Sequence, residues 1–169
     1  MQTRFVIGDT HFGHKNILEF EPVHRPFGSI EEHDEAIIDR WNSVVKKNDT
    51  VWHLGDVLFG KDRFELLSRL NGKKRLVMGN HDNYDVRLYL NHFERVCGAA
   101  KIDSVILSHV PIHTGQFYRF TANIHGHMHS KSLDDARYIN VSAEMNNLTP
   151  IAWEEAVKQS PRQVPVPRS

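Results

Sequence analysis

Five times along this chain a short apolar run closes on a small residue and then hands over to aspartate, asparagine or histidine. Phe5-Val6-Ile7-Gly8 leads into Asp9-Thr10-His11, Val51-Trp52-His53-Leu54-Gly55 into Asp56, and Leu76-Val77-Met78-Gly79 into Asn80-His81-Asp82. Val105-Ile106-Leu107-Ser108 leads into His109, and Ile124-His125-Gly126 into His127-Met128-His129. Short runs with β-branched residues, bounded by glycine, read as buried strands. In an α/β sheet the ligand site lies beyond the carboxyl ends of the strands, so such tips converge however far apart they are in sequence. The pattern restricts the chain to an α/β fold with one polar site at the strand ends.

The rest of the sequence supplies the layers such strands need. The strands are expected over residues 3–8, 50–54, 74–78, 104–107 and 122–125, with a further one over 137–142. A short helix is expected over 16–20, then a loop punctuated by Pro22, Pro26 and Gly28. Ser29 with Glu32 three residues on reads as a capping box, and Ile30, Ile37, Ile38, Trp41, Val44 and Val45 keep to one face of a helix ending near Lys47. Residues 62–70 have helical spacing and stop at Asn71-Gly72. Thr149 and Pro150 read as the N-cap and first position of a closing helix to about Gln159. One domain over 1–160 is expected, with Pro161, Pro165 and Pro167 making 161–169 an extended or disordered tail.

Composition narrows the function classes. Lysine plus arginine equals aspartate plus glutamate at 21 each, so no global field draws in a polyanion and a nucleic-acid coat protein is disfavoured. Cys97 stands alone, no secretory leader opens the chain, and no apolar run approaches the roughly 18 residues that cross a bilayer. The expectation is a cytoplasmic protein without a membrane partner. The excess lies in histidine, at 12 residues, and histidine is the commonest metal ligand.

Asp9 and His11, like His127 and His129, are two apart, and in extended backbone such residues project to the same side. Together with Asp56, Asn80 and His109 they form an oxygen and nitrogen donor set suited to manganese, iron, zinc or nickel, with no thiolate. Seven ligands exceed one tetrahedral ion. With Asp56 as a bridge they supply four contacts to each of two. Two ions about 3.5–4 Å apart clamp the attacking and leaving oxygens of a phosphoryl displacement, which selects the reaction class.

At these residues the sequence resembles the calcineurin-like metallophosphoesterase superfamily, whose pattern is D-x-H, G-D, G-N-H-D, H and G-H-x-H. All five blocks are present in order from Asp9 to His129. The resemblance implies a four-layer α/β/β/α sandwich with a dinuclear site at the carboxyl ends of the strands. It implies one ion on Asp9, His11, Asp56 and His129, and a second on Asp56, Asn80, His109 and His127. Manganese stands first, with iron, zinc, nickel, cobalt and magnesium as alternatives. His81 would protonate the leaving oxygen, with Asp82 orienting it, and a metal-bound hydroxide would attack phosphorus in line. No cap or accessory domain of the kind larger members carry is expected.

The remaining polar residues divide by position. His14, one turn beyond His11, is a candidate substrate contact. His53 and His125, inside strands, read as structural, while His24, His33 and His92 read as solvent-facing. His113 reads as a loop residue without catalytic duty. Arg25, Arg87 and Arg119 lie in or beside loops and could bind phosphate, although each is more often a surface arginine. Trp41 and Trp153 read as core. The expected function is hydrolysis of a phosphodiester or phosphomonoester, on a phosphorylated small molecule or nucleotide. A nuclease acting on DNA or RNA is the alternative, disfavoured by charge, and a non-catalytic protein-binding scaffold of the same fold comes last.

Overall fold

The computed structural model describes residues 2–158, so the tail over 161–169 and Gln159 lie outside the described residues. Among the described residues nine strands form: β1 (Arg4–Ile7), β2 (Thr50–His53), β3 (Lys73–Val77), β4 (Arg95–Cys97), β5 (Ala100–Ile102), β6 (Val105–Ser108), β7 (Ala122–His125), β8 (Tyr138–Asn140) and β9 (Ile151–Ala152). Four helices accompany them: α1 (Ile17–Phe20), α2 (Ile30–Val44), α3 (Val86–Leu90) and α4 (Trp153–Lys158). The strands make one sheet of order β4-β3-β2-β1-β9 and a second of order β5-β6-β7-β8. β1 to β4 run parallel, as do β6 to β8, whereas β9 and β5 are antiparallel to their neighbours.

Alternation along the strands explains the layering. Phe5 and Ile7 face one way and pack with Val51, Leu76, Ile37, Ile38 and Trp41, which places α2 over the outer face of the first sheet. Val6, Trp52, Leu54 and Val77 face the other way and meet Val105, Leu107, Ile124 and Ile139 of the second sheet. The outer face of the second sheet is covered by a 3-10 segment, Thr114–Tyr118, whose Phe117 packs edge-on to Tyr138 with ring centroids 5.0 Å apart. Helical cover thus lies on both sides of the β-sandwich, heavier on α2. Both tryptophans expected in the core, Trp41 and Trp153, are there.

Ser29 caps α2 by accepting a hydrogen bond from the Glu32 amide (3.2 Å), while the Glu32 carboxylate takes the amide of Gly28 (3.0 Å). The capping box is therefore displaced by one residue at its return bond. Two local expectations fail. The stretch 62–70 winds as 3-10 turns over Lys61–Arg69, with Phe64 and Leu67 buried. Thr149 and Pro150 do not start the closing helix, because Ile151 and Ala152 first add β9 to the edge of β1 and the helix begins at Trp153.

The two sheets are joined where their parallel strands end. The Gly8 amide donates to the Val141 carbonyl (2.8 Å), the Ala143 amide to the Gly8 carbonyl (2.9 Å), and the His109 Nδ1–H to the Leu54 carbonyl (2.7 Å). All five ligand-bearing tips are thereby brought to one end of the sandwich.

Candidate metal centre

The backbone turns at these tips in an uncommon way. Asp9, His11, Asp56, His127 and His129 all have positive φ, between +50° and +67°, in the left-handed region that non-glycine residues rarely occupy. This corrects the extended geometry expected for the Asp9/His11 and His127/His129 pairs. The side chains of these five residues converge because the chain reverses at each of them. Surrounding bonds hold the reversals in place: the Asp9 amide donates to Gly55, that of His11 to Asp56, and that of Phe12 to Val57, at 2.9, 3.1 and 3.0 Å.

The carboxylates knit the tips together. Asp9 Oδ2 accepts the His127 amide (2.9 Å), and Asp56 Oδ1 accepts the His81 amide (2.9 Å). Such close approach explains two of the glycines. A Cβ on Gly126 would strike the Asp9 carboxylate, and one on Gly79 would strike that of Asp56.

What remains free faces inward. Asp9 Oδ1 and both ring nitrogens of His11 are buried without a hydrogen-bond partner, a costly state for polar atoms unless a cation is bound. The ligand atoms fall into two sets. Asp9, His11 and His129 offer one group, and Asp56, His109 and His127 another. In the second, His109 Nε2 lies 2.9 Å from Asn80 Oδ1, 3.2 Å from His127 Nδ1 and 3.4 Å from Asp56 Oδ2. Ligand atoms that share an ion at about 2.1 Å stand roughly 3.0–3.4 Å apart, so this spacing suits a common cation. Asp56 Oδ2 is also 3.8 Å from His11 Nε2, between the two sets, where a bridging oxygen belongs. The donor set and the orphaned atoms fit two divalent ions.

The electrostatics of Asp56 and His11 agree. Burial alone would raise the Asp56 carboxyl, but the His109 hydrogen bond and nearby imidazoles outweigh it and hold the group at about 2. Burial pushes the His11 imidazole down, keeping it in the neutral form that ligates.

His81 is exposed at the rim, its ring 5.3 Å from Phe59 and 6.2 Å from His11 by centroids. Asp82 is not its orienting partner. Asp82 Oδ2 accepts the amides of Asp56 and Gly79, both at 2.8 Å, and Oδ1 accepts that of Val57 at 3.0 Å. Among the described residues no hydrogen bond joins it to the His81 imidazole, so its role is to fasten the Asp56 loop to the Asn80 loop. His14 packs edge-on to Phe59 at 4.1 Å and lies 5.4 Å from the His11 ring. Burial, then the neighbouring His11 and His81, lower it to about 4, so it is uncharged near neutral pH.

The bystander readings divide. His53 is structural, hydrogen-bonded to Thr10 Oγ1 (2.9 Å), as is His125, which donates to the Gly126 carbonyl (2.8 Å). His113 caps the Thr114–Tyr118 segment by accepting the Gly115 amide (3.1 Å). His24 is exposed. His33 is not solvent-facing: it is fully buried between Asp34 and Arg25. Arg25 is neither a surface residue nor a phosphate binder, being fully buried with its guanidinium on Glu144 and on backbone carbonyls. Arg87 pairs with Asp85, and Arg119 lies over Tyr118. Glu144, unmarked in the sequence, accepts the His129 Nδ1–H at 3.0 Å.

Comparison with known proteins gives a consistent picture. The family model described as calcineurin-like phosphoesterase matches residues 3–166. An uncharacterized protein of Methanocaldococcus jannaschii, MJ1445, is 32% identical, covering 94% of this chain and 91% of that protein. The gene 66 protein of Mycobacterium phage L5 is 34% identical over 77% of this chain and 79% of its own length. A crystal structure of AQ665 from Aquifex aeolicus, described as a protein of unknown function, superposes with a TM-score of 0.80 at 28% identity, covering 94% of this chain and 99% of that one.

Proposed function

This chain belongs to the calcineurin-like phosphoesterase family, and from that premise we propose that it hydrolyses phosphodiester or phosphomonoester bonds of small phosphorylated molecules, nucleotides included, with two divalent ions. The observation that carries the reading is the convergence of donors into two neighbouring sets, Asp9 with His11 and His129 and Asp56 with His109 and His127, with Asp56 Oδ2 3.8 Å from His11 Nε2 and with Asp9 Oδ1 and both His11 nitrogens buried without a hydrogen-bond partner. Asp9, His11, Asp56 and His129 would hold one ion; Asp56, Asn80, His109 and His127 the other. When bound, such ions supply Lewis acidity to a phosphoryl oxygen and to the attacking water.

The chain's own groups supply the rest. His81 is exposed beside the bridging Asp56, with its amide on that carboxylate, so its ring can meet a leaving oxygen from the solvent side and give it a proton. A cleft lined by Glu21, His127, Met128, His129 and Lys131 opens alongside and leaves room for a small substrate. His14, uncharged near neutral pH, offers a hydrogen bond rather than a charge. A purely scaffolding protein needs neither the intact ligand set nor His81.

The test is a hydrolysis screen of chelator-stripped protein with and without added manganese. It compares a chromogenic diester, a chromogenic monoester, cyclic nucleotides and single-stranded DNA. Metal-dependent turnover of a small ester is expected. Turnover of DNA alone would replace the reading with a nuclease, and no turnover with two ions bound would favour the scaffold.

A further inference from the structure

The two ion sites are held by different networks, and one runs through a buried arginine. Arg25 has no exposed surface, and all three of its guanidinium nitrogens are hydrogen-bonded. Nε donates to Glu144 Oε1 at 2.8 Å, Nη2 stands 2.7 Å from the same oxygen as an ion pair, and Nη2 donates to the Asp9 carbonyl at 2.5 Å. Nη1 reaches the Thr10 carbonyl at 3.0 Å and His33 Nε2 at 2.6 Å. His33 Nδ1 faces Asp34 Oδ1 at 3.0 Å, so Nδ1 carries the proton and Nε2 is the acceptor toward Arg25. Asp34 in turn takes the Gly13 amide on both oxygens at 3.1 Å.

These contacts land on one set of ligands. Glu144 Oε1 accepts the His129 Nδ1–H, which fixes the ring tautomer and leaves Nε2 bare for an ion. Arg25 clamps the carbonyls of Asp9 and Thr10, on either side of the turn that presents Asp9 and His11, and Asp34 holds the residue that follows at Gly13. Among the described residues none of these bonds lands on the side chain of Asn80, His109 or His127, and the one link to that set is the backbone amide of His127 on Asp9 Oδ2 (2.9 Å). His109 is oriented by the Leu54 carbonyl, and the loops of Asp56 and Asn80 are fastened by Asp82.

We infer that Arg25 and Glu144 are positioning residues that set the affinity of the Asp9, His11 and His129 ion site and leave the Asn80, His109 and His127 site untouched. The inference rests on the dinuclear reading of the centre. Glu144→Gln keeps the shape and one acceptor toward His129 and Arg25, while removing the charge that orders both. Loss of an outer partner of a ligating histidine lowers metal affinity about 10–100-fold.

The experiment titrates chelator-stripped wild type and Glu144→Gln with manganese by calorimetry. Electron paramagnetic resonance of each loaded protein then distinguishes a spin-coupled pair from an isolated ion. Wild type should bind two ions and give the coupled signal. The variant should bind one ion with unchanged affinity and a second about 10–100-fold more weakly, with an isolated-ion signal at one equivalent. Equal weakening of both sites, or of neither, overturns the inference. A general packing defect would lower both affinities and the thermal midpoint together.

If the variant does not fold, nitrogen-15 spectra of the metal-free wild type at pH 8 decide instead. A proton on His129 Nδ1 is expected, and one on Nε2 overturns the inference. A wild type that binds fewer than two ions removes the dinuclear reading itself, a result distinct from symmetric weakening.

Discussion

Replacing Asp82 with alanine separates a fastening role from a catalytic one. Its carboxylate is 3% exposed and takes three backbone amides, those of Asp56, Gly79 and Val57, at 2.8, 2.8 and 3.0 Å. A hydrogen bond to a charged group contributes about 1.5–3 kcal/mol, and a buried N–H left without a partner costs about 1–3 kcal/mol. Three such bonds set an upper bound of several kcal/mol. Part is offset because burial also penalises the carboxylate, pushing its pKa up, and alanine removes that penalty. A net loss of about 3 kcal/mol is expected, a large share of the roughly 5–15 kcal/mol that holds a domain folded. Metal affinity should fall as well, because the Asp56 and Asn80 loops are no longer tied together. The assay is urea unfolding of wild type and Asp82→Ala in excess chelator, followed by a manganese titration of each. A loss below about 1 kcal/mol with unchanged metal binding, but with slower turnover, would refute the fastening role and restore Asp82 as the partner of His81.

Three further outcomes test the rest of the site. Asp56→Asn should remove the spin-coupled manganese signal and turnover together, since one carboxylate oxygen stands between both ligand sets; retained coupling would remove the bridge. His81→Ala should keep both ions and the wild-type melting midpoint while slowing hydrolysis about 10²–10⁴-fold, most for poor leaving groups, and equal rates on good and poor leaving groups would rule out proton donation. Burial pushes the His53 imidazole down to about 3, below its ordinary 6.5, so the unfolded chain takes up this proton first. The corresponding stability is complete above pH 6.5 and is lost as pH falls toward 3, by about 2–3 kcal/mol at pH 4.5. Urea unfolding of chelated protein at pH 7.5 and 4.5 should show this slope in wild type and a shallower one in His53→Asn; identical slopes would exclude His53 as its source.

The tips of five strands were readable because each combines two local signals, a buried apolar run and a small residue before the ligand. All five appear within two residues of their expected bounds. The short strands β4, β5 and β9 carry no sequence signal because Arg95–Cys97, Ala100–Ile102 and Ile151–Ala152 are too brief to show a period. Arg25 and His33 misled for a different reason. A charged residue in a proline-marked loop is usually solvated, and only the folded chain shows that Glu144, 119 positions from Arg25, supplies the countercharge. Nothing local to Glu144 marks it. The left-handed backbone at Asp9, His11, Asp56, His127 and His129 has no local signal, because glycine is the residue that signals that conformation, and here glycine stands one residue before Asp9, Asp56 and His127 and does not adjoin His11 or His129.

That backbone bears on how mutagenesis of this centre is to be read. At a position with φ near +50° to +67° an alanine keeps the Cβ that makes the left-handed state unfavourable by roughly 1–2 kcal/mol, yet loses the bonds and the ion that offset it. An alanine scan of Asp9, His11, Asp56, His127 and His129 therefore mixes lost coordination with a turn left under tension. Glycine at the same five sites relaxes the turn while still deleting the ligand. The difference between the glycine and alanine variants measures how much of the fold's own stability is committed to shaping the empty centre before any ion arrives.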